Sequence, residues 1–468
     1  MTTAAMSTQR ADTLIRNALV VTMDDTRRVI SDGALAIRDD LIVAVGKTEE
    51  VAAAWSADTV IDGARFVLTP GLINTHVHIT GEPLTKGFVP DDTPFLENVF
   101  QWLTPLHTHY TEQDEHISAQ LASLEMLKSG TTSFLEAGTV RFIDPVVEAL
   151  TEIGIRARVG PWAWDLVPEP EVLRLSTAQA IARLHDTMDR YASVADGRVQ
   201  AWPILIGHTC CSDELWQAAK GLSIECGTGF SAHMSPATMD PEGFQQMFGQ
   251  RPMVHLNEIG VLGDNVILTH AVYVDDDEVA LLAKTGTSVS HCPTTALKVA
   301  YGVTQIGKFP EMVAAGVNVA IGTDGNNASN YHDMMRATYL VAGLFKDARR
   351  DATIFPAEDA FAMATRNGAR GLQAEHEIGS LEVGKKADVV LHDTNRPEWR
   401  PLHNVANQLV WSADGRGVHT VLVDGRRVVD NYRCTTIDED DLLQRAQVAG
   451  EAIRRRSGLP DRAKWPTV

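Results

Sequence analysis

Between Pro70 and about residue 370 the chain alternates short apolar runs of strand length with longer stretches of helical period. The runs begin with GLINTHVHI and TTSFLEAG, continue through RARVGPWAWDL and VQAWPILIG, and end with GTGFSAHMS, NVILTHAVYV, TSVSHCPTTA and NVAIGTDGN. Segments such as EQDEHISAQLASLEMLKSG and DDDEVALLAKTG stand between them, with apolar residues at helical spacing. Parallel strands need crossover helices, which cover the sheet. Eight such units in a stretch of this length predict an α/β fold, a (β/α)8 barrel over residues 68–370.

The two ends have a different texture. Residues 1–67 and 371–436 carry short β-like runs separated by turn residues, among them TLIRNALVVTMD, DTVIDGARFVL and GSLEVGKKADVVLHD. Neither set has enough strands to bury a face alone, so they are expected to pair across the chain into one small composite β-sandwich. Residues 437–468 open with DEDDLLQRAQVAGEAIRRR, acids first and arginines last, as a helix dipole favours. This reads as a packing or subunit-contact helix, and the expected assembly is a homo-oligomer.

A net charge of −20 would repel phosphate backbones and acidic membrane surfaces, which argues against nucleic acid and membranes as partners. No run approaches the ~18–20 apolar residues of a membrane span, and MTTAAMSTQRADTLIRNALVV has no apolar leader core, so a cytoplasmic protein is expected. Five cysteines (Cys210, Cys211, Cys226, Cys292, Cys434) form an odd set without CxxC spacing and read as reduced thiols.

In barrels of this type catalytic side chains sit at the C-terminal strand ends. Polar residues closing the apolar runs are His76 and His78, Glu136, His208, His233, His270, His291 and Asp324. His76 and His78 are two apart, so on a strand both imidazoles face one side. With His233 and Asp324 they make a ligand set of three imidazoles and a carboxylate, suited to one divalent ion, zinc first, with iron, cobalt or manganese as alternatives. His270 is placed to ligate weakly or to bond the attacking water. The other histidine pair, His107 and His109, lies in a helix-and-loop segment where residues two apart diverge, so it is not expected to chelate.

PGLINTHVH, SAHMS, LTHA, VSHCP, IGTDG and GSLEVGKKADVVLHD, in this order, resemble the amidohydrolase superfamily over nearly the whole chain. The arrangement is similar to the branch of purine-type aminohydrolases and triazine hydrolases, which implies a mononuclear metal site. Two departures matter. Deaminases of that branch place a glutamate three residues after the strand-five histidine, where this chain has Pro236, and an asparagine where it has Thr295 and Ala296. Pro236 can neither carry charge nor donate an N–H. HITGEPLTKG and EWRPLHNVANQLVWSADGR also resemble the phenylurea and thiocarbamate herbicide hydrolases.

The first expectation is therefore a metal-dependent hydrolase that cleaves a C–N bond of a small amide, urea or carbamate-like molecule. The alternative is a deaminase or chlorohydrolase of a nitrogen heterocycle of triazine, purine or pterin type. A catalytically silent binding protein is the third reading, opposed by the intact histidines and aspartate. Asp324 is the expected general base and His270 the stabiliser of developing charge, with Glu82, Glu136, His208 and His291 as candidate substrate contacts.

Overall fold

A computed structural model describes residues 8–465. The first seven residues, part of the stretch read as lacking a leader, lie outside it. Five strands precede the barrel: β1 (Gln9–Val21), β2 (Val29–Arg38), β3 (Leu41–Lys47), β4 (Trp55–Asp62) and β5 (Phe66–Pro70). Then come the barrel strands β6 (Leu72–Val77), β7 (Thr131–Glu136), β8 (Arg156–Val159), β9 (Val199–Ala201), β10 (Ile204–Gly207), β11 (Phe230–Met234), β12 (Val266–His270), β13 (Ser288–His291) and β14 (Val319–Ile321). Four strands follow: β15 (Val389–Asp393), β16 (Val418–Val423), β17 (Arg426–Asp430) and β18 (Arg433–Cys434).

The barrel strands run parallel, β6 to β9 and β10 to β14. The fourth run of the sequence reading is one staggered strand in two pieces, because Trp202 and Pro203 interrupt it and proline cannot donate to a ladder. β9 pairs with β8 and β10 with β11, so the eight-fold count survives the break. The ring closes where the end of β14 meets β6: the amides of Thr323 and Asp324 both donate to His76 O, at 3.1 and 2.9 Å. Asn74 clamps the same seam, accepting from Thr323 N at 3.0 Å and donating to its hydroxyl at 2.7 Å.

The two chain ends meet in one sheet, ordered β18-β17-β16-β15-β5-β1-β2-β3, with β4 alongside β1. The joint is the antiparallel pair β5–β15, Phe66–Pro70 against Val389–Asp393. Residues Leu372, Ala374 and Ile378 pack instead on Ile73, Leu135, Trp202 and Ile267 inside the barrel. The start of the segment assigned from sequence to the returning β region thus belongs to the barrel's packing. Its apolar side chains find a larger core there than a thin sheet offers.

The terminal helix Glu439–Ser457, capped by Asp438, buries Leu442, Ala446, Ala449 and Ile453 against the barrel's first helical layer. A side chain at Gly450 would meet Leu84 O at 2.3 Å, so this helix backs directly onto the loop after β6. No helix among the described residues is long and apolar enough to cross a membrane.

Arg156, on β8, ties the barrel to the sheet. It is 1% exposed and donates Nε and Nη2 to Asp388 at 3.1 Å each, and also pairs with Asp424. Arg156→Leu leaves two buried carboxylates facing each other. A loss of about 3–5 kcal/mol is expected, read from the urea midpoint; an unchanged midpoint would show that the cluster is dispensable.

Candidate active site

The site stands at the C-terminal mouth of the barrel. His76 lies on β6 and His78 one residue past it, His233 on β11, His270 at the end of β12, and Asp324 three residues after β14. Several strand ends turn left-handed just there: φ is 57° at His208, 54° at Ser235, 78° at His270 and 64° at Asp324. Such backbone is strained for residues with a side chain and recurs where side chains must converge.

Convergence is close. His78 Nε2 lies 3.1 Å from Asp324 Oδ1 and 3.4 Å from His233 Nε2. His76 Nε2 is 3.6 Å from the same carboxylate oxygen, and His270 Nε2 is 3.9 Å from Oδ2. The far nitrogens are held from behind. Nδ1 of His233 donates to Ile206 O at 2.9 Å, and Nδ1 of His76 bonds the Thr269 hydroxyl at 3.0 Å. Both rings therefore turn Nε2 inward, as bracing around metal ligands does.

Burial governs the electrostatics. It pushes the His270 imidazole down to about 3 and that of His233 well below its ordinary value, with neighbouring histidines adding to the effect. Burial also opposes charge on Asp324, yet the facing imidazoles of His76 and His78 prevail and hold its carboxyl well below the usual range. His78 is pulled the other way: burial lowers it, but Asp324 and Glu82 raise it to about 9.

Two sets, His76–His233–His270 and His76–His78–Asp324, each place their ligand atoms within 4.8 Å of one another. His76 Nε2 is buried with no hydrogen-bond partner. Buried lone pairs aimed at one point are costly unless something binds them. The donor set fits a divalent cation of zinc type.

Over this cluster lies a cavity of about 110 Å³ walled by Phe95, Leu103, Trp162, Trp164, Val299 and Tyr301. A wider groove of about 1170 Å³, between Leu84–Asp92 and the terminal helix, does not reach the ligand cluster. The smaller one holds His78, His233, His270 and Asp324 in its wall.

The remaining sequence candidates divide. Glu82 and His208 line the cavity. Glu82 Oε2 accepts Asn327 N at 2.7 Å, and burial raises its carboxyl. Glu136 is consumed by its own turn, accepting Gly138 N at 2.5 Å and both the amide and hydroxyl of Thr139 at 3.1 and 2.8 Å. His291 is not at the mouth. Ser290 takes the inward position and bonds Thr75, so His291 points outward and stacks on Phe309 at 3.8 Å between ring centres. The site also holds residues that the sequence reading passed over. His107, set aside together with His109, lines the cavity, while His109 stays apart and its carbonyl bonds Arg456. Trp162 and Trp164, in the loop after β8, also line the cavity; neither is a ligand type, so no motif marks them in the sequence.

Residues 67–428 match the Amidohydrolase family, and residues 33–55 match the bacterial imidazolonepropionase-like composite domain. The chain belongs to the amidohydrolase family. As a member it is a hydrolase of carbon–nitrogen bonds other than peptide bonds. It is similar to a 5-methylthioadenosine/S-adenosylhomocysteine deaminase of Moorella thermoacetica, 34% identical across 92% of this chain and 96% of that protein. A 5'-deoxyadenosine deaminase of Methanosarcina mazei is 33% identical across 95% and 99%. An adenosine deaminase of Xanthomonas campestris with bound zinc superposes at a TM-score of 0.88, 29% identical across 96% of this chain and 100% of that one. The atrazine chlorohydrolase of Arthrobacter aurescens has the same fold, with a TM-score of 0.85, 22% identity and coverage of 94% and 100%.

Gly81 (φ 74°) lets His107 stand against the chain, since a Cβ there would lie 1.8 Å from the imidazole. Gly81→Ala is expected to cost about 1–3 kcal/mol, seen as a lower melting temperature. A variant as stable as the parent would mean that His107 is free to move.

Proposed function

We propose that this amidohydrolase removes an amino group from a flat nitrogen heterocycle, replacing the exocyclic C–N bond at a ring carbon by C–O. The observation that carries the reading is a histidine and aspartate cluster set beneath a cavity lined by the aromatic side chains Phe95, Trp162, Trp164 and Tyr301, against which a flat ring can pack. Trp162 Nε1 and His107 Nδ1, both buried without partners, offer polar contacts to ring nitrogens. The names of the similar deaminases support this alternative over acyclic amides, ureas and carbamates. Pro236 favours the acyclic reading, since it leaves the strand-five position without a carboxylate.

His76, His78, His233 and Asp324 would hold one divalent cation, zinc first. Such an ion, when bound, acidifies water and polarises the carbon under attack. Asp324 accepts the proton of the attacking water. His270, kept neutral by burial, stands beside Asp324 to stabilise charge that develops on the substrate. The aromatic walls orient the ring and exclude bulk water.

An ammonia-release screen of aminopurine nucleosides and aminotriazines, run beside simple amides, ureas and carbamates, tests the reading. Turnover confined to the acyclic compounds would overturn it. About one divalent ion per chain is expected by elemental analysis, falling sharply in His76→Ala and His78→Ala; full occupancy in both would refute the ligand assignment. Asp324→Asn is expected to melt near the parent temperature while losing at least about 10²–10⁴-fold in kcat. Substantial turnover by a folded, metal-loaded Asn variant would exclude Asp324 as the base.

A further inference from the structure

Expelling an amine from a ring carbon needs a proton delivered to the departing nitrogen, because an amide anion is too poor a leaving group. Several cavity groups are committed elsewhere. Asp324 sits among the imidazoles and is assigned to water. Glu82 accepts Asn327 N and faces His78 at 3.6 Å. His107 forms no ion pair with a carboxylate among the described residues, and its Nδ1 is unbonded.

His208 is built differently. It follows β10 in left-handed backbone, and Gly207 before it (φ 79°) leaves no room for a side chain: a Cβ there would lie 2.3 Å from His233 O. Its Nδ1 is 2.7 Å from Asp240 Oδ2. Asp240 is fully buried on the helix Met239–Phe248, and the same oxygen accepts Ser235 N at 2.6 Å, fixing the carboxylate in place. The ring lines the cavity and lies 5.4 Å, centre to centre, from that of His233. A buried carboxylate behind an imidazole fixes its orientation and tautomer.

We propose, on the deaminase reading above, that His208 delivers the proton to the leaving nitrogen and that Asp240 positions it. Water oxygen bonds the ring carbon while the C=N pair moves onto the ring nitrogen. One water proton passes through Asp324 to that nitrogen. The adduct's hydroxyl then loses its proton to Asp324 as His208 Nε2–H protonates the exocyclic amine. The C–N bond breaks, its pair departs with ammonia, and the carbonyl forms. The proton held on Asp324 replaces the one His208 gave, so one water yields the lactam and one ammonia.

Because chloride leaves without a proton, 5'-deoxyadenosine and its 6-chloro counterpart separate this role from a structural one. His208→Ala is expected to lower kcat for ammonia release about 10²–10⁴-fold more than kcat for chloride release. Asp240→Asn should show a smaller loss of the same selectivity, and added imidazole should restore part of the ammonia release of His208→Ala. Equal losses on both compounds in His208→Ala overturn the proposal, as does a folded Asp240→Asn that releases ammonia at the parent rate. The pair is replaced by another amino compound of the screen and its chloro counterpart if that one is the better substrate; if the parent releases ammonia from no aminoheterocycle, the deaminase reading fails and this proposal falls with it.

Discussion

Closure of the barrel between its last and first strands is the constraint on which the site rests. His76 O accepts from both Thr323 and Asp324, and Asn74 grips Thr323 from the other side. The seam that completes the ring therefore also sets the spacing of two groups proposed to share one ion. A slip of one residue at this junction would turn the alternating side chains to the opposite faces. Backbone hydrogen bonds and the Asn74 side chain hold the two ends in register.

Around that seam, polar groups are layered. The inward Nε2 atoms are backed by Ile206 O and the Thr269 hydroxyl, and those partners sit on β10 and β12, the neighbours of β11 in the sheet. Aromatic walls keep the cluster dry, which strengthens every electrostatic contact within. The same dryness depresses the imidazoles of His233 and His270, leaving them neutral and able to lend lone pairs. Packing, charge and ligand capacity follow from one arrangement.

Much of this was legible in the sequence, because a polar residue ending an apolar run stands out at a strand's C-terminal end. His76, His78, His233, His270 and Asp324 share that signature and meet in space. His291 shares it too, yet faces away. The short run TSVSHCP is buried on both faces, so its pattern does not reveal which parity points inward, and Ser290 takes that place. Glu136 shows the opposite limit: its position is at the mouth, but its oxygens are spent on Gly138 and Thr139, a turn that no spacing rule displays. Asp240 left no trace, since an acid near a helix start is commonplace; only the folded chain brings it to His208.

The contact of Gly450 with Leu84 reaches further than packing. Leu84 lies two residues after Glu82, so the last helix of the chain works as a doorstop for the loop that rims the cavity. The helix Glu439–Ser457 thus supports the rim of a cluster whose residues begin at His76, far earlier in the chain. A nascent chain that has not yet reached this helix holds the clustered histidines but lacks the support of the rim, which ties the finished shape of the pocket to the helix's arrival.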